Sequence, residues 1–331
     1  MRGGETGGMD LNDVLRAGRA IAGLLPPTPT WSYPLLDEVT GARVVVKHEQ
    51  VQPTGAFKVR GGVALLAGMS AADRARGVVT YSTGNHAQSI AYACRRFGAP
   101  CRIVMPADPN PTKLAAVRAL GARVDCHGAD LTAAQRYAAA TADGMRLVGP
   151  AHEEDLVAGV GTAYTELFTA HPDLDALLVP VGGGSGAAAA GVVAAALAPR
   201  CEVIGVQSAA SPAAYDSWRA GEPVEAPNRT AAEGLATGSG FPLTQRLLRA
   251  HLHDFVLVSD EQLRAAQHVL LTRAHTLAEA AGAAGLAALL AEADRYAGRR
   301  VGIVVTGGNA SPAELSAVLA PTAAGRPPVT A

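Results

Sequence analysis

The sequence predicts an α/β fold made of two doubly wound, mostly parallel open sheets. Three observations carry this. Short β-branched runs alternate with alanine-rich helical stretches along most of the chain. The runs are apolar nearly throughout rather than at every second residue, the pattern of strands covered on both faces. Several of them end in polar, glycine-bearing turns that lead straight into a helix, as successive β–α units require.

In chain order, strands are expected at Arg43–Glu49, Gly77–Ser82, Cys101–Pro106, Arg123–His127, Met145–Val148, Ala176–Val181, Glu202–Gln207, Phe255–Ser259 and Arg300–Thr306. Helices are expected at Phe57–Ala67, Asn85–Phe97, Pro111–Leu120, Leu131–Ala142, Glu154–Thr169, Ser185–Leu197, Leu243–Ala250, Asp260–His275 and Gly282–Ala297. From Gly77 to about Val148 the strand–helix unit recurs, so residues 61–148 are expected to form a small domain. Residues 11–60 and 149–320 are expected to form a larger one. The glycine-rich residues 1–10 read as an unstructured leader and residues 321–331 as a frayed tail. Ala220–Pro242, rich in Gly, Pro, Thr and Ala, breaks the rhythm, and long connections of that kind are often functional.

Composition narrows the function classes. A chain of 331 residues with 49% hydrophobic and 17% charged residues is too apolar for a disordered protein. Lys+Arg 28 against Asp+Glu 29 leave a formal charge of −1 without a basic stripe, and aromatics are only 4%. Both points argue against nucleic acid as a partner. No apolar stretch has the length of a membrane span, and the N-terminus lacks the apolar region of a secretory signal. Cys94, Cys101, Cys126 and Cys201 show no C-x-x-C and no metal-ligand spacing. They read as reduced thiols of a cytoplasmic protein.

Three turns carry candidate chemistry. Val179-Pro-Val-Gly-Gly-Gly-Ser-Gly186 follows an apolar strand and opens a helix at Ser185. Glycines let backbone N–H groups converge, and a helix N-terminus adds positive partial charge, so this is an anion cradle suited to phosphate. It is not a Walker motif, having no lysine after the glycines. A tight strand-to-helix turn is the alternative. Ser82-Thr-Gly-Asn-His86 supplies hydroxyls and an amide at another helix start, enough to clamp a carboxylate or merely to cap the helix. Thr306-Gly-Gly-Asn309 closes a third strand. Ligands of open α/β sheets sit at strand carboxyl ends, so three such turns together favour one shared small-molecule site. Lys58 stands just inside a helix start among Ala56, Phe57 and Val59. Burial there disfavours the ammonium and suits an amine nucleophile or base, whereas a lone lysine is otherwise a surface residue.

The run Pro53–Gly61 (PTGAFKVRG) resembles the lysine segment of pyridoxal-phosphate (PLP) enzymes of fold type II, the tryptophan synthase β-like family. It is similar in particular to the serine/threonine dehydratase and serine racemase subfamily. Ser82–Gln88, Gly182–Gly186 and Thr306–Asn309 match further motifs of that subfamily in the same order, over about Trp31 to Ala310. Phe57 before the lysine and His86 after Asn85 favour this branch over the cysteine synthases. The resemblance implies a cofactor, pyridoxal 5′-phosphate, held between the two domains. Lys58 would form its Schiff base and act in catalysis. Phe57 would pack beside the ring and Asn85 would bond its phenolic oxygen. Gly182, Gly183, Gly184, Ser185 and Gly186 would wrap the phosphate, Thr306 would meet the pyridine nitrogen, and Glu279 would stand near that nitrogen's side. Ser82, Thr83, Asn85 and His86 would bind the substrate carboxylate, and Thr83 would be the second catalytic group.

The activity so implied is β-elimination from a β-hydroxy amino acid, threonine or serine first, releasing a 2-keto acid and ammonia. A bulkier substrate such as 3-phenylserine, or racemisation, is the alternative. Ala56, Val160 and Ala151 each replace a larger or more polar residue of the relatives, which would widen the substrate pocket. The acids of a family cation site are missing between Gln207 and Ala213, so no metal is expected. Only one helical stretch follows Asn309, so no feedback by isoleucine is expected. The resemblance also implies a homodimer acting on a small amino acid.

Overall fold

A computed structural model describes residues 8–320. Ten strands alternate with helices: β1 Thr30–Trp31, β2 Arg43–His48, β3 Val78–Tyr81, β4 Cys101–Met105, β5 Arg123–Cys126, β6 Arg146–Val148, β7 Ala176–Pro180, β8 Glu202–Ser208, β9 Asp254–Val258 and β10 Arg300–Val305. They make a six-stranded sheet of order β1-β2-β10-β7-β8-β9 and a four-stranded sheet of order β5-β4-β3-β6. Every pairing is parallel except that of the short edge strand β1 with β2.

The apolar runs are continuous because both sheet faces are covered. Successive side chains on a strand point to opposite faces. On β2, Val45 enters the core beneath the helices shared by both sheets, while Val44 and Val46 enter a second core on the far side of the large sheet. The same split separates Leu177 from Leu178 and Val304 from Ile303. On the small sheet, Val78 and Ile103 face the shared core, and Val79 and Val104 face a third cluster under helix Leu131–Ala140.

The structure corrects several expectations at their edges. Residues 8–10 are not part of an unstructured leader. Met9 is buried, and Asp10 caps helix Leu11–Ile21 with a reciprocal bond to Asp13. Residues 1–7 and the expected tail, 321–331, lie outside the described residues. Strand β1 and helices Pro34–Thr40, Ala71–Arg76 and Ala213–Ala220 are additions. The expected helix Gly282–Ala297 is broken into a 3-10 turn, Ala280–Ala283, and helices Ala284–Ala291 and Ala293–Tyr296. Between Ala220 and Pro242 regular structure is confined to a 3-10 turn at Glu233–Leu235 and an isolated bridge from Glu225 to Ser239. Among the described residues, no helix is long and apolar enough to cross a membrane.

Candidate active site

The three polar turns stand at the carboxyl ends of β7, β3 and β10, and side-chain contacts knit them around Lys58. Lys58 is the first residue of helix Lys58–Gly68. Its Nζ lies 2.6 Å from Ser185 Oγ and 5.2 Å from the centroid of the Phe57 ring. The Phe57 N–H donates to the Thr306 carbonyl at 2.9 Å, which ties the lysine turn to the end of β10. Two residues on, Arg60 is buried and anchors the helix from beneath. Its guanidinium bonds Glu49 Oε2 and Glu166 Oε1, each at 2.7 Å. Two carboxylates on one buried guanidinium give the geometry and the hydrogen bonds that such a charge needs.

The glycines of the β7 turn are sterically required. Gly184 has φ +88°, a conformation that costs L side chains about 1–2 kcal/mol. A Cβ on Gly182 would run into the Gly234 carbonyl oxygen. The Thr244 hydroxyl holds the Gly183 carbonyl at 2.8 Å. Helix Ser185–Leu197 then starts with its first N–H groups directed at the turn, the arrangement that binds phosphate.

At the β3 turn the Asn85 amide has a fixed orientation. Its Nδ2 donates to Glu279 Oε1 at 2.6 Å, and its Oδ1 accepts from Asn309 Nδ2 at 2.8 Å. One N–H of Nδ2 therefore remains for a ligand oxygen. Asn309 also holds the Thr54 carbonyl at 2.9 Å, so it links the lysine turn, the β10 turn and Asn85. The sequence marked Asn309 only as the end of a turn. Gly307 leaves the room this network needs, because a Cβ there would strike Glu279 Oε1.

Electrostatics follow burial. Desolvation lowers the Lys58 amine to about 8, so an appreciable fraction is neutral near pH 7. Desolvation also raises Glu279 to about 6, against the opposing pull of Lys113 and the Asn85 amide. His86 is pushed down to about 3, first by burial and then by the Lys58 charge, so its ring is neutral.

The His86 ring is turned toward β3. Its Nε2 lies 3.0 Å from Thr80 Oγ1, and that hydroxyl already donates to the Val148 carbonyl at 2.5 Å. Thr80 can then only accept, so the His86 proton sits on Nε2 and points into the fold. Nδ1 of a neutral ring in that tautomer has no proton to offer a carboxylate. Ser82 and Thr83 stay in the turn beside Asn85, Ser82 buried with its hydroxyl accepting from the Gly84 N–H at 3.2 Å and Thr83 half-exposed. The structure thus brings Lys58, Phe57, Asn85, Ser185, Thr306 and Glu279 into one contact network, with the Gly182–Gly186 cradle beside them. Of the three replacements expected to widen the pocket, Ala56 is fully buried in a bridge to Gly307, and Val160 lies in the core under the helices. Only Ala151 lies against the cradle.

The residues fit a phosphate-bearing aldehyde. The cradle admits an anion, and a half-buried amine of weakened basicity stands beside it. A family profile described as pyridoxal-phosphate dependent enzyme matches residues 21–307. This chain belongs to that family. It is 36% identical over 302 residues to the L-threonine ammonia-lyase of Thermotoga maritima, covering 90% of this chain and 75% of that one. It is also 36% identical over 301 residues to an L-threo-3-hydroxyaspartate ammonia-lyase of a Pseudomonas species, covering 90% and 94%. Among solved structures, a threonine deaminase from T.th. superposes with TM-score 0.86 at 35% identity, over 92% of this chain and 99% of that one. Maize serine racemase superposes with TM-score 0.89 at 27% identity, over 94% and 96%. The fold is that of PLP enzymes of fold type II, the cofactor is pyridoxal 5′-phosphate, and the enzyme is a PLP-dependent lyase.

Proposed function

We propose that this enzyme converts a β-hydroxy amino acid, threonine or serine first, to a 2-keto acid and ammonia. The observation that carries the reading is Lys58: an amine held by Ser185 at the cradle and lowered by burial to about 8. Bound there, the cofactor supplies an electron-withdrawing ring that acidifies the Cα–H of the amino acid joined to it. Gly182–Gly186 and the helix start hold its phosphate, and the free N–H of Asn85 orients it. Thr306 would meet the ring nitrogen with a neutral hydroxyl, which cannot hold a proton there as a carboxylate does. A less electron-poor ring favours prompt loss of a β leaving group. Ser82 and Thr83, at the start of helix Asn85–Phe97, hold the substrate carboxylate. Lys58 Nζ, when not bonded to the cofactor, removes the Cα proton. The Cα–H and Cβ–O bonds break and water leaves. The released enamino acid takes water back, giving the keto acid and ammonium.

The test is keto-acid release from a panel of β-hydroxy amino acids, with Lys58→Ala as the control. Release by Lys58→Ala at the wild-type rate would overturn the assignment. Racemisation is the second reading, because Thr83 offers a half-exposed hydroxyl as the opposing acid and serine racemases are among the relatives. Appearance of the D-enantiomer during turnover distinguishes it.

We infer two domains, residues 61–148 and residues 11–60 with 149–320, in line with the two separate sheets. The four cysteines are unpaired, which suits a reducing, cytoplasmic compartment. A homodimer is inferred from the resemblance alone, and light scattering at twice 33.6 kDa is its test.

A further inference from the structure

Lys113 stands beside the Ser82–Asn85 turn, and no step above uses it. It lies in the first turn of helix Pro111–Ala119, which follows β4 in the small sheet. The Asn110 side chain caps that helix by accepting from the Thr112 and Lys113 N–H groups, which fixes where Lys113 starts. A Cβ on Gly84 would lie 3.4 Å from Lys113 Nζ. The placement runs against local preference twice. The N-terminal end of a helix disfavours a cation, and burial costs a charge dearly unless it is paired. Lys113 is nonetheless 8% exposed. A residue that breaks local rules and is held there by the rest of the fold is a candidate for function.

Its compensation comes from the other sheet. Lys113 Nζ bonds Glu233 Oε2 at 2.7 Å, across 120 positions of chain. Glu233 opens the 3-10 turn Glu233–Leu235, in the connection from β8 to β9 of the large sheet. That turn is firmly seated. Just before it, the Asp260 carboxylate accepts from the Thr230 hydroxyl at 2.7 Å and from the Ala231 N–H at 2.9 Å. Leu235 is buried in the core on the far side of the large sheet. The Gly234 carbonyl oxygen fills the space that a Cβ on Gly182 would need, so the turn backs onto the phosphate cradle. One ion pair thus links the Ser82–Asn85 turn to the cradle. Among the described residues, the other ion pair between residues 61–148 and the rest is Arg146–Glu153, seven positions apart where the chain passes from one sheet to the other. Asn85 also crosses the gap, to Glu279 and Asn309, on the side assigned to the cofactor. Lys113, Glu233 and Glu279 line one cavity of about 280 Å³, so at this edge the sheets are joined by polar contacts and not by close packing.

A substrate joined to the cofactor by its amino group and held by its carboxylate at the Ser82–Asn85 turn engages both sheets at once. A contact that sets their separation beforehand removes that ordering cost from binding. The Lys113 side chain is 9% exposed and that of Glu233 is 40% exposed, so the carboxylate regains water when the pair opens. A pair with one exposed partner is modest in strength, as a contact that parts to admit substrate must be.

We propose that Lys113 and Glu233 are positioning residues, a clasp across the cleft that sets the affinity for the substrate's carboxylate. This rests on the reading that an amino acid binds with its carboxylate at the Ser82–Asn85 turn. Proton removal from Cα stays with Lys58.

The test uses the PLP-loaded wild-type enzyme, Lys113→Met, Glu233→Ala and the double variant. L-Alanine and ethylamine are titrated into each, and binding is read from the change in cofactor absorbance. Both ligands offer an amine, only alanine offers a carboxylate, and neither has a β-hydroxyl to lose. Each single variant is expected to weaken alanine at least fivefold relative to ethylamine. That ratio, taken on one preparation, does not depend on how much of the variant folds, and an unchanged ratio overturns the proposal. The double variant should lose no more than either single one, because both remove the same pair. Losses that multiply would show that the two side chains act separately, and would overturn the clasp. For threonine, the loss in kcat/KM should come through KM. A fall in kcat at unchanged KM would put Lys113 in the chemistry and overturn its positioning role. The elimination reading is judged apart from this. A fallen alanine-to-ethylamine ratio in the variants, with no ammonia from any β-hydroxy amino acid in the wild type, sinks that reading and leaves the clasp standing. An unchanged ratio with ammonia released by the wild type does the reverse.

Discussion

Replacing Glu279 by Gln should stabilise the cofactor-free protein at neutral pH and do nothing for it in acid. Glu279 is 6% exposed, and burial raises its carboxyl from 4.5 to about 6. A raised carboxyl binds its proton more tightly folded than unfolded, so the native state is favoured below the unfolded value. That advantage is lost as pH rises through the folded value. The difference of about 1.5 pH units corresponds to roughly 2 kcal/mol at 1.36 kcal/mol per unit. Gln keeps the acceptor that Asn85 bonds at 2.6 Å but carries no charge to desolvate. Urea unfolding of both proteins at pH 4, 5, 6 and 7.5 provides the measurement. The gain of the variant should be near zero at pH 4, grow between about 4.5 and 6, and level off near 2 kcal/mol above that. A gain of the same size at every pH would show that Glu279 is not the titrating group. A loss at pH 7.5 would show that the Lys113 charge outweighs desolvation.

Lys58, lowered to about 8, should capture pyridoxal phosphate with a rate that rises about tenfold per pH unit and flattens near pH 8. Rates are taken from the absorbance band relative to free N-acetyl-lysine, and an inflection above pH 10 would remove the weakened amine from the account. Gly184→Ala forces a Cβ into φ +88° and to within 3.0 Å of the Thr244 side chain. It should cost about 1–2 kcal/mol of stability and weaken phosphate binding, read by calorimetric titration. Tyr164 is 1% exposed and its hydroxyl has no hydrogen-bond partner among the described residues. Tyr164→Phe should therefore raise the melting temperature, gaining about 1 kcal/mol or more, and a fall would mean the hydroxyl has a partner in solution.

The sheets were legible because both their faces are buried. β7 and β10 are apolar almost without interruption, so no period had to be chosen and only length and flanking turns decided strand against helix. What escaped was short or interrupted. β1 has two residues, too few to show any pattern. Helix Leu11–Ile21 buries only Val14, Ala17 and Ile21 among charged neighbours, and its capping box uses an Asp at the third position, not the usual Glu or Gln. The break at Glu292 follows an alanine-rich run with high helix propensity throughout. It comes from how the segment packs, which no local signal announces.

In the site, the order of motifs pointed to the loops but not to their couplings. Asn309 holds Asn85 across 224 positions, and Lys58 meets Ser185 across 127. Neither pairing leaves a trace in local pattern, because the first joins the turns of two different sheets and the second joins turns after two strands, β2 and β7, far apart in sequence. His86 shows a coupling within one short stretch of chain. Its place in the Ser82–His86 turn suggested a ligand for substrate, yet its proton is committed to a threonine six residues earlier on the preceding strand. That bond fixes the start of helix Asn85–Phe97 against β3 and β6, since Thr80 joins the ring to the Val148 carbonyl. In the function proposed above, Ser82, Thr83 and the N–H groups of the helix start, that of His86 included, would form the carboxylate clamp. A clamp of neutral donors would keep its charge state across the range in which Lys58 loses its proton. The proposed base could then change its charge without the proposed anchor changing with it.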